Sequence, residues 1–157
     1  MDASTLERIR SELESKLTGR KFGKIFSLSR FELAFDFRLS DSAFLFVSIE
    51  PTNPRIYLIK RRVRDLEKLS ANPPSFVQYL RKHLSGAELH GIERIPDERI
   101  LRFDFSAENE LGQIQRYSLT AQLTGRSANL FLLDGNRFIL DASRETFVEG
   151  QKPGDLY

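Results

Sequence analysis

Two apolar runs, both strand-like, meet at a polar hinge in residues 119–133, LTAQLTGRSANLFLL, and this stretch limits the fold more than any other. Tyr117, Leu119, Ala121 and Leu123 share one period-2 face, whereas Leu130, Phe131, Leu132 and Leu133 read as a strand apolar on both sides. Residues 124–129 separate them. Gly125 offers a positive φ and Asn129 tolerates one, so the chain can turn sharply with Arg126 projecting from the bend. A loop held by two buried strands is a rigid platform for a cation. On the residues alone, a tight turn whose arginine is simply solvated is the better-supported reading of the same stretch.

The flanking sequence alternates between helical and strand periods. Ser4, Thr5, Leu6 and Glu7 form a capping-box pattern, and Leu6, Ile9, Leu13 and Leu17 follow at helical spacing until Gly19, which predicts a helix over 4–17. From Phe22 the period becomes two: Phe31, Leu33, Phe35, Phe37 and Leu39 alternate with Glu32, Ala34, Asp36 and Arg38, as in antiparallel strands with one wet face. Strands over 44–49 and 55–60 flank Pro51 and Pro54, which bar a central strand between them. The cationic run Lys60, Arg61, Arg62, Val63, Arg64 then reads either as edge-protecting charge or as a phosphate-facing patch. Asn72, Pro73 and Pro74 open a second helix, with Asn72 as the expected cap and Phe76, Tyr79, Leu80 and Leu84 on one face. Arg81, Lys82 and His83 occupy its last turn, where His83 is expected to act as a cation on the helix dipole, and Gly86 ends it.

Further strands are predicted over 87–95, broken at Gly91, and over 99–105 after a turn at Pro96, Asp97 and Glu98. A polar turn spans 107–112, the Asp134-Gly135 turn closes a hairpin onto 137–142, and 150–157 forms an aperiodic tail. Helix, strands, helix, strands is an α+β order: a mainly antiparallel sheet or sandwich with helices at its margins.

With 157 residues the chain fits one domain. A chain of that size buries roughly 68–70% of its unfolded surface. The absence of cysteine excludes disulfides, thiolate metal sites and cysteine nucleophiles, and the two histidines, His83 and His90, leave little for imidazole metal chemistry. No dinucleotide, P-loop, zincin or nucleophile-elbow motif is present, and no catalytic constellation emerges. No apolar run approaches the ~18 residues of a membrane span, and the amphipathic start resembles neither a secretory signal nor a transit peptide, so a cytoplasmic protein is expected. The net charge is only +2, but the cations are mostly arginine, the forked cation suited to phosphate. Arg99, Arg126, Arg81, Lys82 and the Lys60–Arg64 run all fall at element ends or corners, where several could together bind a phosphodiester backbone. The 13 phenylalanines could offer stacking for single-stranded bases, but their strict alternation makes them core, with only an occasional exception expected.

Five segments in order resemble a known family: Leu17-Thr18-Gly19-Arg20 with Ile25; residues 72–76 running to 80–87; Glu98-Arg99-Ile100; 119–129; and 139–142. They are similar to the N-terminal domain of the NFACT proteins. These are also described as fibronectin-binding protein A-like and include the RqcH and NEMF factors of ribosome-associated quality control. The resemblance implies residues 1–150 as the domain and 151–157 as an end-of-domain tail or the start of a linker. It implies a fold related to the N-terminal domain of formamidopyrimidine-DNA glycosylases without their activity, because Met1-Asp2-Ala3 lacks the proline nucleophile.

It also implies a non-enzymatic domain that needs no cofactor, metal or membrane and that, within a longer protein, engages tRNA and the large ribosomal subunit during C-terminal tailing of stalled chains. The family's Asp-Arg pair falls on Glu98 and Arg99, and its hinge motif falls on Gln122, Gly125, Arg126 and Asn129, with Ala128 in place of a serine. Glu98, Arg99, Arg126, Asn129, Arg81, Lys82, Lys60, Arg61 and Arg62 are the expected RNA-binding residues. Two other readings stand beside this one: a domain that recognises a protein, ribosomal or fibronectin-type, and a surviving nucleic-acid glycosylase or lyase.

Overall fold

The computed structural model describes residues 1–70, 72–146 and 148–157. Two antiparallel sheets share the β-structure. The smaller runs β1 (Ile25–Ser27), β2 (Glu32–Phe35), β3 (Ala43–Ser48) and β4 (Arg55–Lys60) in sequential order. The larger runs β5 (Glu88–Arg94), β6 (Ile100–Glu108), β7 (Ile114–Gln122), β8 (Asn129–Asp134) and β9 (Ile139–Ala142), also in order. Helix α1 (Ala3–Leu17) precedes the first sheet, and α2 (Val63–Leu69) and α3 (Ser75–Leu84) lie between the two in sequence. The α+β class read from the sequence is the one observed.

One core joins both sheets and two of the helices: Leu6, Leu13 and Leu17 of α1 and Phe76, Val77, Leu80 and Leu84 of α3 pack with Leu45, Val47 and Ile56 of the small sheet and Leu101, Phe103, Phe105 and Leu119 of the large one. At its centre Phe22 has its ring centroid 5.4 Å from Phe35, 5.3 Å from Phe37 and 5.5 Å from Phe105. A second cluster covers the outer face of the small sheet, where Leu66 of α2 meets Phe26, Ala34 and Phe44. That is why all six residues of β3 are buried.

Several local expectations are corrected. Helix α1 starts one residue early because Asp2, not Ser4, is its cap: the Asp2 carboxylate accepts the Thr5 N–H at 2.7 Å. The cap of α3 is Pro74, with no side-chain cap bond, so Asn72 does not serve. Strand β2 stops at Phe35, although Phe37 is also buried, because the Arg38 backbone enters positive φ with its N–H held by Asp36. Gly91 does not break β5; the strand continues through a bulge between Leu89 and Gly91. The tail does not trail away: Ile139 N–H donates to Asp155 and Tyr157 N–H to Arg137, extending the sheet beyond β9.

His83 departs furthest from its expected role. It is half-buried between the Tyr79 and Tyr117 rings, at centroid distances of 4.5 and 5.3 Å, with Nδ1 3.2 Å from the Tyr117 hydroxyl and Nε2 buried without a partner. Burial, with the Lys82 charge second, holds its pKa below the ordinary value. The folded state therefore favours the neutral ring. A depressed folded pKa gives stability that is present above the unfolded value, about 6.5, and lost as pH falls below it. Thermal unfolding at pH 7.5 and 5.5 should show a drop that shrinks in His83→Gln.

Candidate nucleic-acid interface

Register sets which predicted residues meet. Ile100 pairs with Gln122 and Gln122 with Asn129, so the start of β6, the end of β7 and the start of β8 lie at one end of the large sheet. Leu123 N–H donates to the Arg99 carbonyl at 2.8 Å, which fixes the Glu98-Arg99 turn against the hinge. The hinge itself is a single 3-10 turn over Gly125–Ser127. Gly125 takes φ +75°, as its sequence position anticipated, and a Cβ built on it would lie 4.0 Å from the Pro51 carbonyl oxygen. The turn at residues 50–54 of the small sheet thus abuts the hinge.

A buried amide anchors this rim. The Gln122 side chain donates to the Ser127 carbonyl at 2.7 Å and accepts from Gln151 at 3.2 Å and from the Tyr157 hydroxyl at 2.8 Å. Burial, with the Glu98 charge second, pushes the Tyr157 hydroxyl above its usual range, so it stays a donor to Gln122 at neutral pH. Glu98, Gln122, Thr124, Ser127 and Tyr157 line a cleft between the Glu98 turn, the hinge and the tail.

Asn129 is buried with the rim rather than displayed by it. Its oxygen accepts the N–H groups of Leu130 and Arg144, both at 2.9 Å, and its amide donates to the Arg144 carbonyl at 3.0 Å. The rim displays both signs of charge: Arg99 and Arg126 are exposed and form no ion pair among the described residues, and Glu98, Glu145 and Glu149 are exposed around them. Arg144 joins the two arginines, donating to the Ala128 carbonyl at 2.7 Å while its guanidinium lies 5.5 Å from the Phe31 centroid. Sequence reading missed Arg144. The signal was its position two residues beyond β9, whose Ala142 pairs with Phe131 on the strand that follows the hinge.

The remaining predicted cations stand elsewhere. Lys60 pairs with Ala43 while Arg55 pairs with Ser48 beside the hinge-side turn, so five residues, about 16 Å of strand, separate Lys60 from that end. Arg61 and Arg62 follow it into α2. Arg81 is turned toward β1, donating to the Ile25 carbonyl at 2.8 Å, in a second concavity with Lys24, Asp36 and Arg38. Lys82 is exposed on α3. The nine residues are therefore not one patch.

A two-sheet α+β domain with an arginine-bearing turn and hinge on one rim is the class of protein defined here. The NFACT N-terminal and middle domain family matches residues 2–149, and the chain belongs to that family. The Rqc2 homolog RqcH of Streptococcus pneumoniae strain D39 is 31% identical over 134 residues, 85% of this chain and 24% of the relative. The Rqc2 homolog RqcH of Bacillus subtilis is 26% identical over 142 residues, 90% of this chain and 23% of the relative.

Among solved structures, the N-terminal domain of the fibronectin-binding protein PavA from Streptococcus pneumoniae superposes with a TM-score of 0.83 at 28% identity, covering 98% of this chain and 59% of that one. The N-terminal part of the fibronectin/fibrinogen-binding protein FBPS from Streptococcus suis gives 0.83 at 25%, covering 97% and 58%. The chain thus spans about a quarter of the length of its curated relatives. No described helix is long and apolar enough to cross a membrane.

Proposed function

We propose that this chain is a non-enzymatic, cytoplasmic RNA-binding domain of a ribosome-associated quality-control factor, engaging tRNA on the large ribosomal subunit as part of a longer protein. The observation that carries the reading is the convergence of Arg99 and Arg126 on one rigid rim, both exposed and neither paired with a carboxylate among the described residues. Membership of the family, and relatives that are Rqc2 homologs, support it. Arg99 and Arg126 contact RNA phosphate or base edges as charge-assisted donors, Glu98 orients Arg99 or accepts from a base amino group, and Asn129 and Gln122 hold the hinge in place.

The test is binding of the purified chain to total tRNA at low and moderate salt. Arg99→Ala and Arg126→Ala are expected to weaken binding at low salt and each to reduce the salt slope by roughly 0.7–0.9, with melting unchanged. Unchanged affinity in folded variants would remove the reading.

A further inference from the structure

The RNA rim leaves the Lys60–Arg64 run without a use, and this run borders an apolar groove. Helix α2 covers only part of the outer face of the small sheet. Beside it Tyr57, the cross-strand partner of the buried Phe46, stays uncovered, and Leu28, Ile59, Leu66 and Leu69 complete a groove in which Tyr57 is 38% and Leu69 63% exposed.

Its charge is lopsided. Glu32, the acid that lines the groove, is held by Arg55 at 3.2 Å. At the other end the lining Arg61 donates to the Lys60 carbonyl at 2.8 Å, is exposed and forms no ion pair among the described residues; Arg62 and Arg64 follow outside the groove, with the exposed Asp65 next to them in sequence.

The aromatic surface does not suit a nucleobase. Phe46 is buried, with the Tyr57 ring tilted at 5.4 Å from it and the Arg55 guanidinium 5.4 Å from the Phe46 centroid, so the groove shows one partly exposed ring, Tyr57, and not the succession of open rings on which single-stranded bases stack. An apolar floor with an unpaired arginine, Arg61, at one end and its acid, Glu32, already held by Arg55 is complementary to a peptide that presents large apolar side chains next to an acidic one. We propose that this groove docks such a segment of a partner protein, independently of the RNA rim at the other end of the sheet.

Panning a phage-displayed library of random peptides on the purified chain tests it. Enriched sequences are expected to combine Leu, Phe, Ile or Trp with Asp or Glu. A synthetic copy of the most enriched one should lose roughly tenfold or more in affinity with Tyr57→Ala and with Arg61→Glu, and keep its affinity with Arg99→Ala. Both groove substitutions fall on the surface, and an unchanged melting temperature confirms their fold. No enrichment, enriched peptides without acidic residues, or binding indifferent to Tyr57→Ala would overturn the proposal. So would a Tyr57-dependent dimer in sedimentation, which makes the groove a self-association surface, or oligouridine binding lost in Arg61→Glu, which makes it a second RNA site.

Discussion

Asn129→Ala is expected to destabilise the fold by about 3–5 kcal/mol, although the change removes only a small polar side chain. The estimate follows from what is left behind. The Leu130 and Arg144 N–H groups and the Arg144 carbonyl all spend hydrogen bonds on this one amide, at 2.9, 2.9 and 3.0 Å. A buried group that loses its partner costs roughly 1–3 kcal/mol; the Leu130 N–H is buried, and the two partly buried Arg144 groups count toward the low end of that range. Asn129→Asp keeps the acceptor but loses the donor and places a carboxylate against the Arg144 carbonyl, so it should rescue little. Arg126→Ala, three residues away on the exposed side of the same hinge, should change stability by less than about 0.5 kcal/mol. Urea unfolding of the three variants checks the contrast. An Asn129→Ala protein as stable as the parent would mean that water replaces the amide and that the hinge is not held from below.

That contrast marks where sequence reading reached and where it stopped. Arg126 and Asn129 stand three apart in one polar hinge and looked equivalent as candidate contacts. Only the pairing of Asn129 with Gln122 across β7 and β8, and the return of Arg144 after β9, turn one inward and leave the other outside. Local patterns were legible where a single period governs: α1, β3, β4 and the Asp134-Gly135 hairpin fall within a residue or two of their expected bounds. Helix α2 was hidden because its seven residues, VRDLEKL, give one turn of apolar spacing directly after a run of arginines. Positive charge masked the buried Leu66. Gly150 and Pro153 made the tail look unstructured, and nothing local says that Tyr157 reaches Gln122 across 35 positions of sequence. The distribution of the cations over two ends of the molecule is likewise a property of register, which no single segment encodes.

The largest loss of stability from an apolar truncation is expected at Phe22. This residue lies outside every named strand, held by its N–H to the Ala87 carbonyl at 2.8 Å and by its own carbonyl to the Gly86 N–H at 2.9 Å. Its ring is fully buried and touches Phe35 and Phe37 from the first half of the chain and Phe105 from β6, so it ties the two sheets together at one point. Phe22→Ala removes the transfer free energy of the ring and leaves a cavity among three aromatic neighbours that cannot collapse without moving both sheets. A cost of about 3–5 kcal/mol follows, or roughly 10 °C or more in melting temperature for a chain of this size. Phe22→Leu refills part of the space and should recover much of the loss, whereas Tyr57→Ala on the outer face, where the side chain already meets solvent, should cost far less. Scanning calorimetry of the three variants decides it. Equal losses at Phe22 and Tyr57 would mean that the two sheets are not joined through this ring and that the contacts of α1 and α3 carry the interface instead.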